Sequence, residues 1–225
     1  MSESFCRFED VQVMRAGKSV LEIPGLDFAK GEVTAVVGDN GSGKTTLLMA
    51  AGGLMDLARG RIHMFGGSFH QGRAPAARHL RRRIAFVFQE PYLFGGSVRS
   101  NLAYGLKIRK MAKAQRETRV DQILDRLGIA ALGPRRSREL SGGEQRLVAL
   151  GRALVLEPEV LLLDEVTANL ADAAARKVEE TVSALVSEKG VSVMLATHQG
   201  RQALRLATAA VNLQAGKLIG ITNRK

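Results

Sequence analysis

The stretch GDNGSGKT, Gly38 to Thr45, has the glycine spacing and terminal Lys-Thr pair of a loop that cradles phosphate. Gly38, Gly41 and Gly43, with Asn40 and Ser42 among them, let backbone N–H groups converge on phosphate oxygens, and a helix starting there adds the field of its N-terminus. Lys44 would reach the β- and γ-phosphates of a nucleotide. Thr45 would ligate Mg²⁺, and Ser42 and Thr46 would support phosphate oxygens. Further along, the apolar run Val160–Leu163 ends in Asp164 and Glu165. Ligands of open α/β sheets sit at strand carboxyl ends, so both carboxylates would face the phosphates. Asp164 suits Mg²⁺ through its water shell, and Glu165 suits a general base or water-positioning role. A ligand-free glycine turn and a pair of solvated carboxylates are the plainer readings. Finding both motifs in one chain argues against them.

A third motif, LSGGEQ, spans Leu140–Gln145 and opens a helical pattern. Ser141 reads as an N-cap with Glu144 three residues on, a capping box, and Gly142–Gly143 leave the backbone uncovered. With all three motifs in this order, the sequence resembles the nucleotide-binding domain of ATP-binding cassette (ABC) transporters, from about Phe8 to Leu218. That resemblance implies ATP and Mg²⁺ as cofactors and ATP hydrolysis as the reaction. It assigns Gln89, ending IAFVFQ, to Mg²⁺ or the attacking water, and His198, after VSVMLAT, to the γ-phosphate. The implied catalytic set is Glu165, His198 and Gln89, and the metal set Thr45, Gln89 and Asp164. A head-to-tail dimer is implied as well, each ATP lying between Gly38–Thr46 of one copy and Ser141, Gly142, Gly143, Glu144 and Gln145 of the other. The remaining implied partners are separate transmembrane permease chains and, indirectly, an extracytoplasmic substrate-binding protein. No nucleic acid partner is expected, and the place of work is peripheral, at the cytoplasmic face of the membrane.

Four positions depart from the family pattern. Arg15 stands where an aromatic residue commonly stacks on adenine, and a guanidinium can stack on a base in its place. Val166-Thr167-Ala168-Asn169-Leu170-Ala171 replaces the usual Pro-Thr-Ser-Ala-Leu-Asp. Arg146-Leu147 replaces a common Gln-Arg, and Gln199 follows the histidine where aspartate is usual. None removes a phosphate, Mg²⁺ or water-handling residue, so an active ATPase is expected.

These residues need strands to hold them. Val33–Gly38, Ile84–Phe88, Val160–Leu163 and Val191–Ala196 read as buried strands, with further candidates at Ala209–Leu213 and Lys217–Ile221. Helical patterns cover Lys44–Ala51, Val98–Lys107, Lys113–Leu127 (stopped by Gly128), Glu144–Leu156, Asp172–Glu188 and Gln199–Leu206. Buried strands alternating with helices predict an α/β fold with a mainly parallel sheet, and the resemblance adds an N-terminal antiparallel β part. One cassette domain over 1–225 is expected, with an ATPase core at 1–89 and 156–225 and an inserted helical subdomain at 90–155.

Composition fits this. At 225 residues, 45% hydrophobic and 24% charged, the chain is an ordinary soluble domain rather than a disordered or disulfide-built one. Its single cysteine, Cys6, cannot form an internal disulfide. No apolar run reaches a membrane span, and MSESFCRFED has no secretory-signal pattern. Of the net charge of +11, nearly all sits between Arg73 and Arg119, where twelve basic residues face two acids. Such a patch is read either as a solvated helical face or as a surface for acidic residues on the coupling helices of a membrane subunit or for anionic headgroups; a soluble ABC-type ATPase on nucleic acid or ribosomes is the alternative. A lipoprotein-release or cell-division type cassette is a further one. The text QEPYLFGGSVRSNLAYGLKIR with THQGRQALRLA resembles importer subunits for small oxyanions such as tungstate, with polar amino-acid importers close behind.

Overall fold

The computed structural model describes residues 3–70, 77–168, 170–198 and 205–223. Among the described residues, ten strands form one continuous mixed sheet: β1 Ser4–Arg15, β2 Lys18–Ala29, β3 Val33–Val37, β4 Arg59–Met64, β5 Gly67–His70, β6 Ile84–Val87, β7 Val160–Asp164, β8 Ser192–Thr197, β9 Ala209–Gln214 and β10 Lys217–Asn223. Their order is β5-β4-β1-β2-β10-β9-β3-β8-β7-β6. From β9 to β6 all neighbours are parallel, while β5, β4, β1 and β2 are antiparallel. The expected division into a parallel core and an antiparallel N-terminal part is therefore present, within a single sheet.

Parallel strands are apolar throughout because both faces of the sheet are covered. Leu161 and Leu163 of β7, with Val193 and Leu195 of β8, face one core together with α3 (Val98–Ile108), α4 (Lys113–Arg126), α5 (Gly142–Leu154) and α6 (Asp172–Lys189). Val160 and Leu162 face the other, with Leu47 and Leu48 of α1 (Lys44–Ala51) and Phe8 and Phe28 of the antiparallel part. Helix α5 starts two residues before the Glu144 read from sequence, because the Ser141 cap places both glycines inside its first turn. Gly128, with φ of 68°, follows the end of α4 as expected. Most of the helix expected at Gln199–Leu206, including Gln199 itself, lies outside the described residues, as do Asn169 and Arg73.

The two halves of the sheet meet at a thin seam. β2 and β10 share one ladder pair, Lys217↔Glu22, helped by the Glu22 N–H donating to Gly216 O at 2.7 Å. The phosphate-loop sequence crosses this seam: the Gly216 N–H donates to Ser42 O at 2.9 Å, and a Cβ on Gly43 would lie 3.4 Å from Val20 O and 3.3 Å from the Gly216 Cα. Among the described residues, no helix is long and apolar enough to cross a membrane.

Candidate active site

Register brings four strand ends to one edge. Val87 lies opposite Leu163, Asp164 opposite Ala196, and Ala196 opposite Val36. Gly38, Gln89, Asp164–Glu165 and His198 therefore leave the sheet side by side, the arrangement in which open α/β sheets bind ligands.

The loop between β3 and α1 has little freedom at its base and much at its tip. A Cβ on Gly38 would lie 2.3 Å from Leu213 O and 2.5 Å from Ser42 Oγ, so only glycine fits. Gly43 caps α1 with φ of 101°, a conformation closed to most other residues. Asn40 and Gly41 are exposed at the tip. Lys44 is buried, its ammonium donating to Gly38 O at 2.8 Å and Asp39 O at 2.9 Å. Thr45 donates to Asp164 Oδ2 at 2.7 Å. Asp164 Oδ1 and Ser42 Oγ are buried with no hydrogen-bond partner among the described residues, and such orphaned oxygens are costly unless a ligand satisfies them. Burial, opposed by the Thr45 bond, pushes the Asp164 carboxyl above its ordinary range. A buried carboxylate oxygen beside a threonine hydroxyl is a fitting donor set for Mg²⁺, an oxygen-seeking cation.

Glu165 is held in the left-handed region, φ 48°, which costs a residue with a Cβ about 1–3 kcal/mol and persists only where neighbours over-determine it. Its N–H donates to Ala196 O at 3.0 Å, and its carbonyl accepts the Ala168 N–H at 3.1 Å. Both carboxylate oxygens are engaged. Gln89 Nε2 donates to Oε2 at 3.0 Å, while His198 Nδ1 and Lys44 Nζ lie 3.2 and 3.8 Å from Oε1. The structure thus joins Gln89, His198, Lys44 and Glu165, all named from sequence, in one cluster over Asp164 and Thr45.

The LSGGEQ segment is built differently. Ser141 Oγ accepts the Glu144 N–H at 3.3 Å, and the Ser141 N–H donates to Glu144 Oε2 at 2.7 Å. Arg135 Nη1 donates to the other Glu144 oxygen at 3.0 Å. The Ser141 backbone bond, above all, lowers the Glu144 carboxyl below its ordinary range. Gln145 donates to Leu140 O at 3.1 Å. Glu144 and Gln145, expected as nucleotide contacts, are therefore engaged inside the chain, whereas Ser141 and Gly142 are exposed. Among the described residues, no hydrogen bond or ion pair joins Ser141–Gln145 to Gly38–Thr46. Arg15 ends β1 opposite Lys18 and is exposed. Ala171 is the N-cap of α6, which has no side-chain cap bond.

Two features escaped the sequence reading. An exposed aromatic group in the segment that follows Gln89 joins Tyr92, Phe94 and Tyr104, with ring centroids 6.0 Å apart for Tyr92 and Phe94 and 4.4 Å for Phe94 and Tyr104, while exposed Phe88 stacks on Phe86 instead. Its only signal was the aromatic letters of QEPYLFGG and the tyrosine of NLAYG. Arg146, noted as a departure, donates to Ala168 O at 2.6 Å and to Gln89 O at 3.4 Å. The basic segment is also less free than its charge suggests. Arg83, Arg99 and Arg119 pair with Glu159, Asp121 and Glu157, and Arg109 donates to Leu156 O and Arg82 O.

Comparison with known proteins decides the family. The ABC transporter family matches residues 21–168. The chain belongs to that family. It is 34% identical over 202 residues, covering 90% of this chain and 91% of the relative, to the tungstate uptake system ATP-binding protein TupC of Peptoclostridium acidaminophilum. It is 40% identical over 213 residues to the sn-glycerol-3-phosphate import ATP-binding protein UgpC of Cupriavidus necator; the match covers 93% of this chain but only 56% of that relative. Among solved structures, cbiO1 from Clostridium perfringens, part of the ABC transporter complex cbiONQ, superposes with a TM-score of 0.88 at 29% identity, covering 99% of this chain and 89% of that one. As an ABC cassette, the chain is an ATP-binding protein and an ATPase.

Proposed function

We propose that this ABC ATPase is the energy-supplying subunit of a membrane importer, peripheral on the cytoplasmic face, for a small anion such as tungstate. The Glu165 cluster carries the catalytic part. A carboxylate held between a glutamine amide, a histidine and a lysine, above an aspartate with an orphaned oxygen, can orient water for attack on a terminal phosphate. Gly38–Thr46 would cradle the phosphates, with Lys44 turning from the loop carbonyls to them. Thr45, Asp164 and Gln89 would hold Mg²⁺, which supplies charge neutralisation between phosphates. His198 would sit at the γ-phosphate, and Arg15 would stack on the base.

Exposed Ser141 and Gly142, at a helix start whose cap is already complete, suit a role in the ATP site of a second copy. The exposed aromatic group in the segment after Gln89 suits permease chains, since an apolar patch of this kind marks an interaction surface. In this reading residues 90–155 act as the subdomain that carries movement between permease and core, residues 1–89 and 156–225. The relatives named for tungstate and sn-glycerol-3-phosphate both handle oxyanions, which supports an anionic cargo delivered by an extracytoplasmic binding protein. A soluble ATPase on nucleic acid draws less support, because Arg83, Arg99, Arg109 and Arg119 are already engaged within the chain.

One variant tests the reading. Glu165→Gln should lose at least about a hundredfold in turnover while still binding Mg-ATP. The same tagged variant, with Mg-ATP, should bring down a polytopic membrane protein from solubilised native membranes. Unchanged turnover removes Glu165 from its role, and recovery of ribosomes or nucleic acid without a membrane protein overturns the transporter assignment.

A further inference from the structure

The left-handed backbone of Glu165 is held at two points, and one of them leads out of the core. The Glu165 N–H is fixed to β8 through Ala196 O, and the Glu165 carbonyl is fixed by the Ala168 N–H. Ala168 is in turn held through its own carbonyl by Arg146 Nη1, at 2.6 Å. The same guanidinium reaches the carbonyl of Gln89 through Nε at 3.4 Å, and the Gln89 side chain donates to Glu165 Oε2. Arg146 thus touches both loops that flank Glu165 and meets the carboxylate by two routes, one through backbone and one through the Gln89 amide. It does so from the first turns of α5, the helix that carries Ser141 and Gly142.

We infer that Arg146 is a positioning residue for hydrolysis, a clamp from α5 that holds the Gln89 and 166–168 loops in the register that aims the Glu165 carboxylate. The chemistry is specific to a guanidinium. Two N–H groups in a fixed fork can serve two carbonyls at once, whereas an ammonium offers a point charge on a flexible stem. A strained backbone keeps its conformation only while its neighbours over-determine it, so loss of the fork should disorder the aim of Glu165 rather than the binding of phosphates, whose loop Arg146 does not touch. Any displacement of the start of α5 would also be felt at Gln89 and Ala168, through the same side chain.

This rests on Glu165 handling the attacking water, and the experiment separates the two claims. Steady-state ATP hydrolysis is measured for the parent, Arg146→Ala, Arg146→Lys, Gln89→Ala, the double variant Arg146→Ala/Gln89→Ala, and Glu165→Gln. The expected result is a kcat about tenfold lower for Arg146→Ala with KM for ATP within about twofold, and an intermediate kcat for Arg146→Lys. In the double variant, Gln89→Ala should cost clearly less than it costs alone, because the two residues act on one carboxylate. Parent-like kcat in Arg146→Ala, a KM change as large as the kcat change, or fully multiplicative losses would each overturn the clamp. Should Glu165→Gln retain turnover, the reading of the site fails instead. If Arg146→Ala does not fold, Arg146→Lys carries the same comparison with Gln89→Ala.

Discussion

Two glycine-rich segments of this chain look alike as text and are opposites as structures. In Gly38–Thr45 the glycines at the base are demanded by the chain itself, since a Cβ on Gly38 would strike Leu213 O at 2.3 Å. At Gly142 a Cβ would meet nothing within 4 Å, and the residue opens α5 with a helical backbone that needs no glycine. The first segment leaves Ser42 Oγ and Asp164 Oδ1 buried without partners among the described residues; the second completes its own capping box and is exposed. One is a loop whose composition the fold dictates, and the other a surface whose composition the fold does not explain.

The contrast can be broken most directly at those glycines. Gly38→Ala should destabilise by about 3 kcal/mol, from overpacking against backbone that cannot retreat. Gly142→Ala should leave stability unchanged or raise it by less than about 0.5 kcal/mol, below the mid-helix value, while lowering ATP turnover. Urea unfolding with hydrolysis assays checks both, and equal stability losses would erase the distinction. A smaller effect is expected at α6. Its N-cap, Ala171, has extended backbone angles and no side-chain bond, so Ala171→Asp should add about 1 kcal/mol, read as a raised urea midpoint; no change would mean that the cap geometry is not available to aspartate.

The last test uses pH, and the two regions should respond with opposite sign. Burial raises the Asp164 carboxyl in the folded chain, so between its unfolded and folded pKa values the native state binds more protons, and stability falls as pH rises through that window. The Glu144 carboxyl is lowered by its Ser141 bonds, so its contribution is present above the unfolded pKa and lost as pH falls through the folded one. Asp164→Asn and Glu144→Gln should each flatten only their own part of a urea-midpoint profile. A shared change in both variants would mean that neither carboxyl titrates independently.

Much of this was legible because the parallel half follows simple rules. VTAVV, IAFVF, VLLLD and VSVMLAT are largely apolar and run into Gly38, Gln89, Glu165 and His198, so the strands and the edge they share could be read together. The antiparallel half was not read strand by strand. β1 and β2 are joined through Ala16 and Gly17, both with positive φ, but alanine gives none of the asparagine-glycine signal such turns usually carry. Pro24 and Gly25 inside β2 further obscure the pattern. At the site, motif letters gave the types and spacing of Lys44, Asp164 and Glu165. They could not show that Glu144 is occupied by Ser141 and Arg135, nor that Arg146 spans two loops, because side-chain reach between distant segments has no periodicity to betray it.

The seam between β2 and β10 carries one last consequence. Two half-sheets joined by a single ladder pair are two plates over one shared apolar core, and the Ser42–Gly216 bond is a rivet driven through their joint by the phosphate loop. Whatever stiffens the loop stiffens the joint, so the twist of one plate against the other becomes a gauge of loop occupancy. Amide exchange at Glu22 and Gly216 would read that gauge from outside the site.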